Sequence, residues 1–276
     1  MALQNYLGKG YHGKMTYMEN HFEKRLNPAL LHPGTKSVIS LLYNYFTDLK
    51  QADKTAPVLS KYAYGKDYHI VLKEKINCLL SFIKKHAEHA DGRIFVDSAP
   101  VLERAWAQRA GLGWIGKNGN LINKQFGSFF FIGEIFVNIK LDPDGIEMPD
   151  YCGNCTRCID VCPTKAIVAP GIVDARKCIS YLTIELKDEI PLVFGGKIEN
   201  RVFGCDICQD VCPFNKKSKN HKESEFELKK EIIQLTKIQW HQMDEIQFKK
   251  LFRNSAVKRT KFEGLKRNLE FLNDSH

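Results

Sequence analysis

The chain alternates short apolar stretches with polar, glycine- and proline-rich breaks, and the period of each stretch predicts its element. Ser37–Tyr45 is apolar and rich in β-branched and aromatic residues, which predicts a buried strand. Tyr68 to His89 carries Ile70, Val71, Leu72, Ile76, Leu79, Leu80 and Ile83 at helical spacing, which predicts a helix with one apolar stripe. Cys78 lies inside that stripe, and a lone Cys there reads as a small buried hydrophobe. Ile94–Val96 is a short strand ending at Asp97, after which Pro100 starts a helix, Val101–Ala110, stopped by Gly111. Asn120–Lys124 and Ser128–Asn138 read as a hairpin around Phe126-Gly127.

The remaining stretches are read by their breaks. Tyr6–Gly13 holds three glycines and predicts a loop, Met15–Phe22 a short helix, and residues 46–66 mostly loop. Asp142–Pro149 predicts a linker, Asp174–Leu186 a helix carrying Cys178, and the last sixty residues a series of helices. No apolar run reaches the roughly 18 residues of a membrane span. Met1–Gly13 lacks the charged and apolar regions of a secretory signal, which places the chain in the reducing cytoplasm.

Composition changes this picture at one place. Eight of nine cysteines fall between Cys152 and Cys212. The first run is Cys152-x2-Cys155-x2-Cys158-x3-Cys162-Pro163, and the last is Cys205-x2-Cys208-x3-Cys212-Pro213, with Cys178 between them. Eight thiolates serve two [4Fe–4S] clusters, and the first run has the ferredoxin spacing in which the fourth Cys crosses to the other cluster. Cys152, Cys155, Cys158 and Cys212 then hold one cluster, and Cys162, Cys178, Cys205 and Cys208 the second. Two zinc sites of four cysteines each, or a set of disulfides, would use the same thiols. Zinc ribbons show separated C-x2-C pairs, and disulfides need an exported chain.

Charge adds a second asymmetry. The net charge is +9, of which Phe214 to the end contributes +6, from 15 Lys/Arg against 9 Asp/Glu. That quarter suits a phosphate backbone, and equally a solvated, lysine-rich helical tail.

Outside the cysteines the residues leave alternatives open. Asp97 ends a strand before a helix, where a carboxyl serves as a proton donor or as a helix cap. Gly111-x4-Gly116-Lys117 approaches a P-loop, but Asn118 stands where Ser or Thr would hold Mg²⁺, so nucleotide hydrolysis is rejected. His69, in Asp67-Tyr68-His69, has no second His or Cys at ligand spacing and reads as structural or capping; His12 and His32 are weaker still.

A set of phrases nevertheless resembles one family, the epoxyqueuosine reductases. They are Tyr11-His12-Gly13-Lys14-Met15, Lys24-Arg25-x2-Pro28, Tyr64-Gly65-Lys66-Asp67-Tyr68-His69, Val96-Asp97-Ser98-Ala99-Pro100-Val101-Leu102-Glu103-Arg104, Gly116-Lys117-Asn118, Arg176-Lys177-Cys178-Ile179-Ser180 and Gly204-Cys205-Asp206-Ile207-Cys208-Gln209. They run in family order, and Arg253–Arg259 and Lys266-Arg267-Asn268 extend the likeness into the tail.

The resemblance implies reduction of the epoxide of epoxyqueuosine, at the wobble position of tRNA, to queuosine. It implies a base-off cobalamin as the centre that collects electrons from two [4Fe–4S] clusters. Asp67-Tyr68-His69 lacks the Gly of the common Asp-x-His-x-x-Gly corrinoid motif, consistent with no lower His ligand. Asp97 matches the family's catalytic acid, and its corrinoid contacts fall on Arg25, Ile122, Ser128, Ile132, Ser180 and Asp206.

The expected fold is α+β: an α/β corrinoid lobe with a mixed sheet (1–145), a ferredoxin-like two-cluster module (146–218) and a basic helical segment (219–276). Relative to the family the chain is expected to be short at its start and to lack a C-terminal helical-repeat domain. The implied partners are the modified tRNA and an electron donor, with no membrane and a monomeric chain. An iron–sulfur electron-transfer protein, a zinc nucleic-acid-binding module and another corrinoid-dependent reductase, such as a dehalogenase, are the competing readings.

Overall fold

The computed structural model describes residues 2–144 and 148–273. The chain opens with helices α1 (Ala2–Gly8) and α2 (Phe22–Leu26); the loop expected from Tyr6 begins only after Gly8, with Gly10 and Gly13 at positive φ in the turns that follow. The helix expected over Met15–Phe22 is reduced to a single 3₁₀ turn at Thr16–Met18. His21 in the left-handed region, at φ 58°, separates that turn from α2.

β1 (Ser37–Asn44) forms where the apolar pattern placed it, and β2 (Val58–Leu59) follows in the long loop. α3 (Tyr68–His86) buries Tyr68, Val71, Leu72, Ile76 and Leu80, the i, i+3/i+4 face of the predicted stripe. Asp67 caps it by accepting the His69 backbone N–H at 3.0 Å. Cys78, by contrast, sits on the solvent face and is exposed, because its position falls between the buried residues of the stripe.

β3 (Gly92–Phe95) leads to Asp97, and α4 (Glu103–Arg109) starts later than predicted because Leu102, rather than a residue before Pro100, is its N-cap. Gly111, at φ 73°, ends it as expected.

The predicted hairpin is re-paired. β4 (Trp114–Ile115) takes β5 (Leu121–Ile122) as its antiparallel partner, and only the isolated bridge Asn123–Gly127 remains of the expected ladder. β6 (Phe130–Val137) instead becomes the centre of a three-stranded sheet in the order β1-β6-β3, antiparallel on both sides. A strand buried on nearly every residue needs neighbours on both edges, which a short hairpin cannot give. The parallel pairing joins β2 to β9 (Arg201–Phe203). α3 covers the three-stranded sheet with a core of Tyr45, Tyr68, Leu72, Phe129, Phe131 and Ile135.

In the cysteine-rich region α5 (Arg157–Val161) and α6 (Ile207–Asp210) pack on each other, with β7 (Ile167–Ala169) and β8 (Ile172–Val173) in a small hairpin. The helix expected over Asp174–Leu186 is broken into a 3₁₀ turn at Ala175–Lys177 and a π-helical turn at Tyr181–Glu185, with Cys178 in the extended gap. Part of the expected linker Asp142–Pro149, residues 145–147, lies outside the described residues.

The tail folds as α7 (Lys230–Ile233), α8 (Lys237–His241), α9 (Glu245–Leu251) and α10 (Lys261–Asn273). It is no solvated appendage. Trp240, Phe252, Val257 and Leu265 are buried in one core with Ile179, Leu182, Val202 and Phe203. Asn268 keys it in place, its amide donating to Thr183 O at 2.8 Å and Val202 O at 2.9 Å.

Candidate active site

Asp97 stands at an open cleft of about 530 Å³ whose walls include Asp67, His69, Ser98, Lys258 and Arg259. Its backbone is left-handed, at φ 42°, a conformation Asp tolerates better than most residues. The N–H that this turn leaves free donates to a carboxylate oxygen of Glu103. The side chain accepts the Tyr68 hydroxyl and not a helix N–H, so the capping alternative is set aside.

His69 Nε2 lies 3.9 Å from the Asp97 carboxylate, and Nδ1 lies 2.7 Å from Asp67. Burial would lower the His69 pKa, but the hydrogen bond and charge of Asp67, with the charge of Asp97, raise it above its ordinary value. His69 therefore belongs to the cleft, while Asp67 does the capping that the sequence assigned to the histidine. Arg259, 3.5 Å from Glu185, and Lys258 bring positive charge from the tail to the lining of the cleft, where Arg259 acts on Asp97 and Tyr68. Asp67 N–H donates to Asn254 O at 2.6 Å, which ties that wall to the head of α3.

The cysteines fall into two groups. Cys158 and Cys208 ride on α5 and α6, while Cys162 caps the end of α5 ahead of Pro163 and Cys212, just past α6, caps the 3₁₀ turn that Pro213 starts. Burial raises the Cys158 thiol, and Cys152, Cys212 and Cys155 add to it. Burial pushes Cys205 up to about 12, with Cys178 adding to it, and raises Cys208 well above its ordinary value, with Cys205, Cys178 and Cys158 adding to it. Cys178 is likewise raised by burial, with Cys162 beside it.

Buried thiols that raise one another are a donor set lacking its positive charge, which iron would supply. Among the described residues no three His, Cys, Asp or Glu side chains close on one point as a single ion requires. A cubane instead holds its ligands apart at separate corners. Trp114 Nε1–H donates to Cys152 Sγ at 3.4 Å and Ala166 N–H to Cys162 Sγ at 3.3 Å, contacts of the kind that set a cluster's potential. Trp114, Ile122, Phe214 and Cys212 wrap the first set in apolar surface.

The six expected corrinoid contacts lie on separate elements. Ile122 is buried beside the first set, and Ile132 packs with Leu121 and Phe130. Ser128 is buried, its N–H donating to Asn215 Oδ1 at 2.6 Å. Asp206 is buried and accepts the Lys61 N–H at 2.8 Å and the Ser60 hydroxyl. Ser180 hydrogen-bonds Cys178. Arg25 donates to Tyr17 O at 2.6 Å, and Tyr17 in turn neighbours Arg259 and Asp97.

Tyr62 bridges the two regions. Its ring is 6.2 Å from Tyr68 and 6.0 Å from Phe203, the residue two before Cys205. The P-loop-like stretch serves neither region as a phosphate cradle: Lys117 Nζ donates to Gly153 O at 2.6 Å, fastening the lobe to the module.

Sequence reasoning passed over Tyr68, Glu103, Glu134, Lys258 and Arg259. Glu134 alone left a signal, as one carboxyl in the otherwise uncharged run Phe129–Val137.

A double-cluster module joined to an α+β lobe that presents an acid in a cleft defines an iron–sulfur oxidoreductase. Residues 151–215 match the 4Fe-4S double cluster binding domain, and residues 25–98 match the family described as "Epoxyqueuosine reductase QueG, DUF1730". The chain belongs to the epoxyqueuosine reductase family.

It is 53% identical over 271 residues to the epoxyqueuosine reductase of Cyclobacterium marinum, covering 98% of this chain and 86% of the relative. It is 42% identical over 273 residues to that of Vibrio cholerae, covering 97% and 74%. Among solved structures, an epoxyqueuosine reductase crystallised with a tRNA-Tyr epoxyqueuosine-modified stem loop superposes with a TM-score of 0.89 at 34% identity. That match covers 98% of this chain and 72% of the other.

Proposed function

We propose that this chain reduces the epoxide of epoxyqueuosine in tRNA to the alkene of queuosine, with electrons delivered through two [4Fe–4S] clusters to a bound cobalamin. The observation that carries the reading is Asp97, held by Tyr68 in a cleft lined also by Lys258 and Arg259, in a chain with a double-cluster domain over residues 151–215. Cobalamin, when bound, supplies a low-potential cobalt centre that collects single electrons and acts at carbon.

A corrinoid carries its own equatorial nitrogens, so it asks the protein for walls and edge donors. Ile122 and Ile132 offer apolar wall; Arg25, Ser128, Ser180 and Asp206 match an amide-fringed edge, and we assign these six to hold it. Asp97 gives its proton to the oxygen that leaves the opened epoxide. Lys258 and Arg259 attract the tRNA backbone to the cleft. We read residues 1–145 as the catalytic lobe, 146–218 as the cluster module and 219–276 as a basic segment that completes the cleft. The protein acts as a monomer in the cytoplasm and draws on a separate electron donor; among the described residues no helix is long and apolar enough to cross a membrane.

The test is anaerobic incubation of iron-loaded protein with cobalamin, reductant and epoxyqueuosine tRNA, followed by nucleoside analysis. Queuosine is expected to replace epoxyqueuosine. Protein that carries both clusters but refuses cobalamin, or binds it and leaves the epoxide intact, ends the proposal.

A further inference from the structure

The ferredoxin-spaced run from Cys152 to Cys158 lies at the surface. Gly153, Asn154, Thr156 and Arg157, between its cysteines, are exposed. Of the second set, Cys205 and Cys208 stand among buried neighbours, Gly204, Asp206, Ile207 and Gln209. An electron from outside therefore has its open approach on the side of Cys152, Cys155 and Cys158.

Around Cys152 a ring of contacts joins three segments. Trp114 Nε1–H donates to Cys152 Sγ, and the Trp114 ring stands edge-on to Tyr151, at 5.1 Å between centroids, and to Phe214, at 4.8 Å. Lys124 Nζ lies 4.6 Å from the centre of the Tyr151 ring. Two residues on, Phe126 O accepts the Ser218 hydroxyl at 3.2 Å, which brings the ring back to the turn Pro213–Lys217 that carries Phe214. Tyr151 and Phe126 are both open to solvent, Phe126 with 61% of its surface exposed.

The charge of this ring has one sign. Residues 114–128 hold Lys117 and Lys124 and no acid, and residues 213–219 hold Lys216, Lys217 and Lys219 and no acid. The acids that flank the cysteine run, Asp150 and Asp160, are turned to its own groups: they accept the Cys152 N–H and the Thr156 hydroxyl, each at 2.7 Å. Among the described residues the lysine and arginine ion pairs are made elsewhere, which leaves Lys124, Arg157, Lys216 and Lys217 without a carboxylate. None of these four lines the cleft at Asp97.

We propose that the ring of Lys124, Phe126, Tyr151 and Lys216 is the port where an acidic one-electron carrier protein docks and reduces the cluster behind Trp114. This rests on the proposed epoxide reduction, which draws on a separate electron donor, and it gives that donor a face and a sign of charge. Carrier encounters are small and transient, so complementary charge around an aromatic patch is enough to steer and orient them. Each encounter takes one electron from the carrier and leaves one on the cluster. Two encounters supply the two electrons that the epoxide, with two protons, takes up to give alkene and water. An RNA backbone is also drawn to lysines, but it gains nothing from the edge of a cluster.

The probe is a reduced flavodoxin of acidic surface, mixed anaerobically with cluster-loaded full-length protein without cobalamin or tRNA. The electron paramagnetic resonance of the reduced cluster, in rapidly frozen samples, reads the rate. The double variant Lys124→Glu, Lys216→Glu is expected to slow the bimolecular step by roughly tenfold or more at about 0.02 M salt, and the difference to shrink at about 0.5 M salt. Dithionite, too small to need a docking face, is expected to reduce wild type and variant alike. Should the double variant lose iron, Lys124→Glu alone carries the comparison. Equal flavodoxin rates in wild type and variant, or a wild-type rate indifferent to salt, overturn the port. So does a variant that binds an epoxyqueuosine stem loop more weakly while its flavodoxin rate is unchanged, since its lysines are then an RNA contact. The epoxide reading stands or falls separately, on conversion of epoxyqueuosine by cobalamin-loaded wild type with dithionite as reductant.

Discussion

In the proposed reaction one aspartate is asked to hold a proton, point it at a leaving oxygen and survive in a left-handed backbone. The structure meets the last two demands by clamping Asp97 from both ends, with Glu103 on its N–H and Tyr68 on its carboxylate. An Asn at position 97 keeps an acceptor for Tyr68 and tolerates the same backbone, but has no proton of useful acidity to give. Asp97→Asn should therefore keep iron, cobalamin and fold, and lose at least roughly a hundredfold in turnover. Iron content, the cobalt spectrum and nucleoside analysis of one preparation check it; loss of cobalamin from that variant would make Asp97 a structural residue. Glu134 gives the same scale a stability prediction with a definite sign. Its pKa is raised to about 9, chiefly by burial, so the folded chain keeps a proton that the unfolded chain releases above the ordinary glutamate range. Stability therefore falls as pH rises through the interval between those values, by up to about 1.4 kcal/mol per pH unit for this group. Glu134→Gln has no such proton, and its denaturation midpoint should decline less than that of wild type between neutral and alkaline pH. Chemical denaturation at several pH values checks this; parallel declines would show that Glu134 is already ionised in the fold.

At the scale of elements, the cysteine module was the most legible part, because metal ligation fixes spacing in the sequence itself. Cys152 to Cys212 read as a double-cluster run before any contact was known, and residues 151–215 match that domain. β1 and α3 were legible from their apolar periods. The pairing of β6 was not: its run is apolar on both faces, so local pattern could not choose between a hairpin with Leu121–Ile122 and a sheet with β1 and β3. Asp174–Leu186 misread as one helix for a related reason, since Cys178 is pulled out of helical backbone by its place among the thiols. The α3 stripe shows the limit of period alone, because Cys78 sits one residue before Leu79 and Leu80 yet faces water. Its exposure makes a usable probe. In anaerobic, cluster-loaded protein a small alkylating reagent should modify Cys78 and spare the other eight cysteines, which iron holds as ligands. After chelation and unfolding all nine should react. Peptide mass mapping reads both states; rapid labelling of Cys152 or Cys205 in brown, folded protein would contradict the ligand sets.

For the whole molecule, the consequence of the tail's burial is that it is a wall of the cleft as well as a source of charge. Its apolar side is committed to the core through Trp240, Phe252 and Leu265, which sets Lys258 and Arg259 in the lining of the cleft that holds His69 and Asp97. A flexible lysine-rich tail would attract nucleic acid diffusely, and losing one lysine would scarcely matter. On the proposed reading, a rigid wall makes each cation a specific phosphate contact. Arg259 is partly engaged by Glu185, so Lys258 is the cleaner probe. Lys258→Ala should weaken binding of an epoxyqueuosine stem loop and lower the slope of log affinity against log salt by about 1, with little change in folding. Fluorescence titrations at a series of salt concentrations measure both quantities. An unchanged slope would mean that the tRNA backbone enters the cleft along another edge, and that the net positive charge of this segment steers the encounter without holding the complex.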